Sequence, residues 1–187
     1  MIELIYPNIK YKDSFIRAVK ELVSYKDPFF GQLKKYSEFD FEKLENDFYN
    51  YKIKPLEDER AGKNLPKEFV SHSVMWAIDN DEFIARFDIR HTLNDNLMNI
   101  GGHIAYVVRP SKRGQGYGKK ALRLALSYAN RELNIKEALI TADYKNEASI
   151  KTILGVLKEY GGRADTPYIK PDDKGIELRF WINTFKK

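Results

Sequence analysis

The sequence predicts a mixed α/β fold, a mostly antiparallel central sheet with helices on both faces. Three observations point there. Short apolar runs of strand length are interspersed with segments whose apolar residues recur three and four positions apart. Their order is strand, helices, antiparallel strands, then strand–helix–strand–helix–strands, which a sheet covered on its faces accommodates. Alternating glycines sit directly between one strand and the helix behind it, where a ligand-holding turn belongs.

Each element follows from the residues in order. Positions 2–6 read as a short strand. Phe15, Ala18, Val19, Leu22 and Val23 then share one face of a helix, and Phe41, Leu44 and Phe48 mark a second. Residues 55–66 are charged, contain Gly62 and lack periodicity, so they read as a loop. Runs 74–78 and 83–89 flank Asp79-Asn80-Asp81, a hairpin turn. The polar stretch 91–102 with Gly101-Gly102 is a connection, and 103–108 is a strand stopped by Pro110. Ala121, Leu122, Ala125, Tyr128 and Ala129 line a helix, and 138–142 is a strand. Asn146 can cap a helix bearing Ile150, Ile153, Leu154 and Leu157, which Gly161-Gly162 ends. Tyr168-Ile169 and 176–182 close the chain as a hairpin around Pro171-Asp172-Asp173-Lys174-Gly175.

Composition narrows the class. A chain of 187 residues fits one domain, 1–187. Hydrophobic content of 43% against 32% charged excludes a disordered chain. No apolar run approaches the roughly 18 residues that a membrane span needs, and the start reads as a strand instead of a signal peptide. With no cysteine there is neither a disulfide framework nor a thiolate nucleophile, and a cytoplasmic setting is the expectation. His72, His91 and His103 are too scattered for a metal site, so no metal is expected.

Arg109, Lys112, Arg113, Lys119, Lys120 and Arg123 crowd one short stretch, which favours a polyanion. The glycines among them decide which one. Gly114, Gly116 and Gly118 let the backbone approach a ligand and turn its N–H groups outward, and the following helix adds its positive end. A dinucleotide fingerprint starting at Gly114 fails at Lys119. A Walker A loop ending at Gly118-Lys119 fails at Arg113 and Lys120.

What matches is R-x-x-G-x-G. The run Val108-Arg109-Pro110-Ser111-Lys112-Arg113-Gly114-Gln115-Gly116-Tyr117-Gly118 resembles the acyl-CoA motif of the GNAT superfamily of N-acetyltransferases. Asp143-Tyr144-Lys145-Asn146-Glu147-Ala148-Ser149 is similar to that family's second cofactor-contacting segment. Arg90-His91, Gly101-Gly102-His103 and Arg179-Phe180-Trp181-Ile182 resemble a bacterial branch of predicted acetyltransferases. The resemblance covers 66–182, roughly two thirds of the chain, and implies that this part is the cofactor-binding core, with 1–65 as an N-terminal strand and helices on the acceptor side.

It implies a sheet splayed between the strand 103–108 and the strand 138–142, with the pantetheine arm of acetyl-CoA paired to the backbone of Val107 and Val108. It also implies that Arg113, Gly114, Gln115, Gly116, Tyr117, Gly118 and Lys119 hold the pyrophosphate, with Lys112 and Lys120 as further cations. Asn146 is either a pantetheine contact or a plain helix cap. The activity implied is transfer of an acetyl or other short acyl group from acetyl-CoA to a primary amine of an unidentified acceptor. Without cysteine or a G-x-S-x-G elbow, direct transfer is favoured over an acyl-enzyme.

A base and an acid complete the expectation. His103 opens the cofactor strand, near where some family members carry a catalytic carboxylate, and an imidazole titrates near neutrality; packing at a strand end is the other reading. Asp88 and His91, at or beyond the end of the preceding strand, are weaker candidates, and Glu82 reads as a turn residue. Many family members carry a tyrosine seven residues after the asparagine that Asn146 matches. Ile153 stands there instead, leaving Tyr160, Tyr144 or water as the acid. Tyr106 and the aromatics around Trp76 read as core. The run from Phe29-Phe30 to Phe41 reads as a hydrophobic seam or as an acceptor pocket. The departure at Ile153 keeps open an acyl-CoA-binding regulatory module without turnover. Nucleic acid is not an expected partner, because the charges are tied to glycines and not to aromatics or a recognition helix. A homodimer is allowed by the resemblance.

Overall fold

A computed structural model describes residues 1–25, 40–171 and 174–186. Phe29 and Phe30 of the expected aromatic seam, and Asp172-Asp173 of the last turn, lie outside the described residues. The chain forms β1 (Glu3–Ile5), α1 (Lys12–Tyr25), α2 (Phe41–Asn46), α3 (Lys54–Arg60), β2 (His72–Asp79), β3 (Glu82–Arg90), α4 (Asp95–Asn99), β4 (Ile104–Val108), α5 (Tyr117–Leu133), β5 (Glu137–Asp143), α6 (Glu147–Tyr160), β6 (Gly162–Ile169) and β7 (Ile176–Asn183).

Two antiparallel sheets result, one ordered β1-β2-β3-β4 and the other β5-β7-β6. Helices cover both faces of the first sheet. On one face Phe15 of α1 stacks on Trp76 of β2 with ring centroids 4.6 Å apart, and Phe83 meets both rings edge-on. On the other face Met75, Phe87 and Ile89 pack against Leu122, Ala125 and Leu126 of α5, and that core runs on through Ile140, Ile153, Val156 and Phe180 into the second sheet. The alanines of α5 let the helix lie close to the strands, so a single apolar layer spans both sheets.

Three expectations are corrected. The segment 55–66 is not all loop: a wide π turn, Tyr49–Ile53, continues into α3, with Pro55 in the first turn and Leu56 buried. One buried residue per two turns leaves no periodic signal. The final hairpin is longer than expected, because β6 starts at Gly162, directly after α6. Its side chains are mostly exposed and it bulges between Asp165 and Tyr168, so alternation is lost. Val23 and Leu154, assigned to buried helix faces, are exposed.

The two sheets touch at one point. Gly102 bridges Ile140, and the His103 N–H donates to the Leu139 carbonyl at 2.7 Å. Gly102 has φ +61, and a Cβ there would lie 2.3 Å from the Leu139 oxygen. Backbone strain and overlap therefore coincide at this position. Gly102→Ala should cost about 2 kcal/mol or more, measurable as a drop in thermal midpoint; a midpoint within experimental error of wild type would contradict the close approach.

Candidate acyl-CoA site

Past the join, β4 and β5 share no ladder among the described residues. The β3–β4 register, with Arg90 N–H donating to the His103 carbonyl and Arg109 N–H to that of Ile84, turns the peptide groups of Ala105 and Val107 toward β3. Those of Tyr106 and Val108 face the other way. Val107, expected as a backbone partner beside Val108, thus commits its own amide to β3. On β5 the same alternation points Leu139, Thr141 and Asp143 away from β7. Two strand edges face one opening: the Tyr106 peptide and the Val108 N–H on one side, while the Val108 carbonyl accepts Arg113 Nε and the Asp143 carbonyl accepts the Asn146 N–H.

The glycine loop lies at the end of β4. Pro110–Lys112 forms a 3-10 turn, Gly114 and Gly116 have φ +73 and +78, and Gly116 caps α5 without a side-chain bond. A Cβ on either glycine would meet nothing within 4 Å. Their conformation demands glycine, and the space before them is open. The first amides of the 17-residue α5 have no intrahelical acceptor and sit behind that space. Gly118 packs closely, its missing Cβ 3.6 Å from Val108 Cγ2 and 3.7 Å from Thr152 of α6.

The loop's cations mostly hold protein partners. Glu21 of α1 accepts from Arg109 Nε at 2.6 Å, from Ser111 Oγ at 3.0 Å and from the Ser111 N–H. Lys112 pairs with Glu82. Arg113 Nε donates to the Val108 carbonyl at 3.0 Å, and its guanidinium covers the Tyr25 ring. Lys119 pairs with Glu159 at 2.6 Å, and Arg123 grips the same carboxylate with two bonds of 2.8 Å. Lys120 lies over the Tyr117 ring, Gln115 donates to the Ser111 carbonyl, and Tyr117 donates to Asp79. These contacts shape the loop; an anion would meet main-chain amides first.

Asn146 caps α6, accepting from the Ser149 N–H at 3.2 Å. Ile153 is fully buried. Tyr160, a candidate acid, is at the far end of α6, about 21 Å along the helix from Asn146. Its carbonyl accepts from Asn183, which pairs with the first residue of β5, so it stands on the closed side of the join. Tyr144 is exposed on the turn before α6.

His103 lies at the join and not in the opening. Its Nδ1 accepts the Leu139 N–H at 3.0 Å, and Trp181 of β7 packs edge-on against the ring. Burial and the nearby Arg90 guanidinium push the imidazole down to about 4. A ring whose Nδ1 lone pair is engaged and which is neutral at pH 7 makes a poor general base. His91 bonds Ser73, and His72 pairs with Glu59. Burial raises the Asp88 carboxyl, but a three-bond grip by Arg86 outweighs it and holds the group ionised below its ordinary range. Among the described residues no three His, Asp or Glu are placed to hold a metal, and no helix is long and apolar enough to cross a membrane.

Two residues that the sequence reading missed belong to this site. Glu21 lies 90 residues from the serine it binds, and no local pattern links them. Tyr106 occupies an ordinary inward strand position. Its ring stacks on Phe87, and its hydroxyl reaches across to Ser149 Oγ of α6 at 3.2 Å. Burial raises its pKa, so the hydroxyl keeps its proton at neutral pH.

Fold, open edges and amide-lined loop together define an acyltransferase domain built for a phosphorylated thioester donor. Comparisons agree. A Vibrio cholerae spermidine N-acetyltransferase SpeG chimera with hSSAT superposes with TM-score 0.59 at 13% identity, covering 98% of this chain and 95% of that one. Mycobacterium smegmatis RimJ, solved with CoA-disulfide, gives 0.65 at 16% identity, with 97% and 81% covered. YncA, a putative acetyltransferase of Salmonella typhimurium solved with acetyl-CoA, gives 0.57 at 12% identity, with 100% and 95% covered. At such identities the likeness is one of fold. No curated protein matches significantly. The sequence family described as "Acetyltransferase (GNAT) domain" matches residues 33–156. The chain belongs to the GNAT acetyltransferase family; it is an acyltransferase, and acetyl-CoA is its donor.

Two outcomes follow. Glu21→Gln removes the charge that gathers Arg109 and Ser111; it should lower stability by no more than about 1 kcal/mol and weaken acetyl-CoA binding, read by melting and calorimetry. His103 has a folded pKa below the ordinary 6.5, so between about 6.5 and about 4 the unfolded chain binds more protons and stability falls as pH falls. Above 6.5 the group contributes no pH dependence. The wild-type slope of stability against pH in that window should exceed that of His103→Asn by up to about one proton per molecule; equal slopes would contradict the depressed pKa.

Proposed function

We propose that this enzyme transfers the acetyl group directly to a primary amine, with acetyl-CoA held by the β4 edge and the glycine loop. The observation that carries the reading is the β4 edge beyond the join, where the Tyr106 peptide and the Val108 N–H face away from β3, ending at a loop whose glycines leave the helix amides bare. A ligand with amide groups along its arm and a diphosphate at its end satisfies both features at once. The Tyr106 peptide and the Val108 N–H are the groups that would pair with the arm, and the amides from Gly114 to Lys119 would take the diphosphate. Asn146, engaged through Oδ1 as a cap, has its amide nitrogen left for the same ligand.

When bound, acetyl-CoA supplies a thioester whose carbonyl is open to attack and whose thiol, with a pKa near 8.5, leaves without much help. The Val108 N–H, facing away from β3, would be the donor that polarises such a carbonyl. Tyr106 Oη, which keeps its proton at neutral pH and reaches Ser149 near the start of α6, would be the group to protonate a departing thiolate, in place of the tyrosine that Ile153 displaces. No cysteine is present to form an acyl-enzyme. The three histidines each hold a partner in the protein. Deprotonation of the acceptor therefore rests on solvent and on whatever lowers the amine pKa, which is ordinarily near 10.4.

An amine panel incubated with acetyl-CoA and scored for CoA release tests the reading. Polyamines and peptide α-amines belong in it, since a spermidine acetyltransferase and an α-N-protein acetyltransferase are among the proteins of similar fold. The rate should rise through pH 7–9 with no inflection near 6.5. Gly116→Asp, which puts a carboxylate in the open space before the loop, should abolish acetyl-CoA binding. Normal binding by that variant would mean the diphosphate sits elsewhere.

A further inference from the structure

Leu139 gives both of its peptide groups to one residue. Its carbonyl accepts the His103 N–H at 2.7 Å, and its N–H donates to His103 Nδ1 at 3.0 Å. In an ordinary ladder the second bond would go to a main-chain carbonyl, and β4 would have to run on beside β5. Here the His103 carbonyl is occupied by Arg90 N–H, so β4 stays in register with β3 while the imidazole supplies the missing acceptor. A side chain standing in for a carbonyl lets the two strands part within one residue.

The surroundings hold the ring in that orientation. Trp181 packs edge-on against it, and Trp181 is itself tied to Asp165 by its indole N–H and covered by Arg163. Arg90 Nη1 donates to the carbonyls of Gly101 at 3.1 Å and Gly102 at 3.0 Å, while the Gly101 N–H donates to Thr141 Oγ1 at 2.8 Å. The chain entering β4 is thereby fixed against both β3 and β5. Tyr106 and Val108 follow His103 by three and five residues, so their distance from Thr141 and Asp143 depends on where the parting begins.

We propose that His103 is a positioning residue of the transfer reaction: through Nδ1 it pins Leu139, sets the point at which the two sheets diverge, and so fixes the spacing of the edges that take the donor. The claim about the donor rests on the functional reading above; the claim about the join does not.

Three variants and two measurements test it. Amide exchange at Leu139, followed by NMR on unliganded protein, reads the join. Calorimetry with acetyl-CoA, well below the melting temperature, reads the edge. His103→Leu should exchange the Leu139 amide about tenfold faster and bind acetyl-CoA about tenfold more weakly, the effect of one lost hydrogen bond. His103→Asn carries Oδ1 where Nδ1 stands and should restore most of both. His103→Gln, whose acceptor lies one bond further out, should restore neither. If His103→Leu fails to fold, the contrast between Asn and Gln decides the matter. Wild-type exchange at Leu139 in the Leu or Gln variant would overturn the join. Normal acetyl-CoA affinity in all three, with turnover lost in all three, would overturn positioning and return His103 to the role of base. Should wild type itself bind no acetyl-CoA, the functional reading and the positioning role both fall, while the exchange result still judges the join.

Discussion

The contact between His103 and Leu139 is the constraint from which the rest of this molecule follows. Peptide groups within a protein must find partners, and a continuous seven-stranded sheet would have satisfied those of β4 and β5 against each other. Instead the ladder stops after one residue of contact. Gly102 permits the approach because any side chain would collide with the Leu139 oxygen. The imidazole then closes the one N–H that the approach would otherwise strand. Beyond this point two edges diverge, and among the described residues the Tyr106 peptide and the Val108 N–H are left without a strand partner, up to the end of β4 where the glycine loop begins.

That loop shows how charge and main chain divide their work. Its sequence is crowded with cations, yet Glu21, Glu82 and Glu159 draw most of them into ion pairs. Such partly exposed pairs contribute little to stability singly. Their value here is geometric, because Glu21 ties α1 to the start of the loop and Glu159 ties the first turn of α5 to α6. In Glu21 burial works against ionisation, but the bonds from Arg109 and Ser111 outweigh it, leaving the pKa below its ordinary value. On the proposed reading an anion would be held by amides that cannot rotate away, and not by flexible lysine ends.

Local order was legible in the sequence, and long-range order was not. Helices α1, α5 and α6, the β2–β3 hairpin and the Asn146 cap all follow from spacing within a few residues. The glycine loop was visible for the same reason: three glycines at alternate positions between a strand and a helix have few uses. Helix α3 and strand β6 were hidden because each is too exposed to show a period. Glu21 and Tyr106 were hidden differently. A glutamate on a helix face and a tyrosine in an apolar strand look ordinary until the fold brings Ser111 and Ser149 beside them. Which of Val107 and Val108 turns its peptide to the opening depends on the β3 register, which the sequence does not carry.

Histidine at the head of the cofactor strand shows why residue type alone misleads. Its ordinary pKa makes it the natural base near neutrality. What decides is the direction of one lone pair, and here it points at a main-chain amide. With the imidazole spent on structure, rate must come from elsewhere, and the chemistry allows this. A thiolate is a far better leaving group than an alkoxide or an amide, so the barrier of thioester aminolysis owes much to bringing a neutral amine and a carbonyl into line. Holding two reactants in such an arrangement can supply roughly 7–11 kcal/mol without any proton-transfer residue. On that account the catalytic asset of the proposed reaction is the fixed width of the opening, and the histidine contributes to rate by holding the strands that make it.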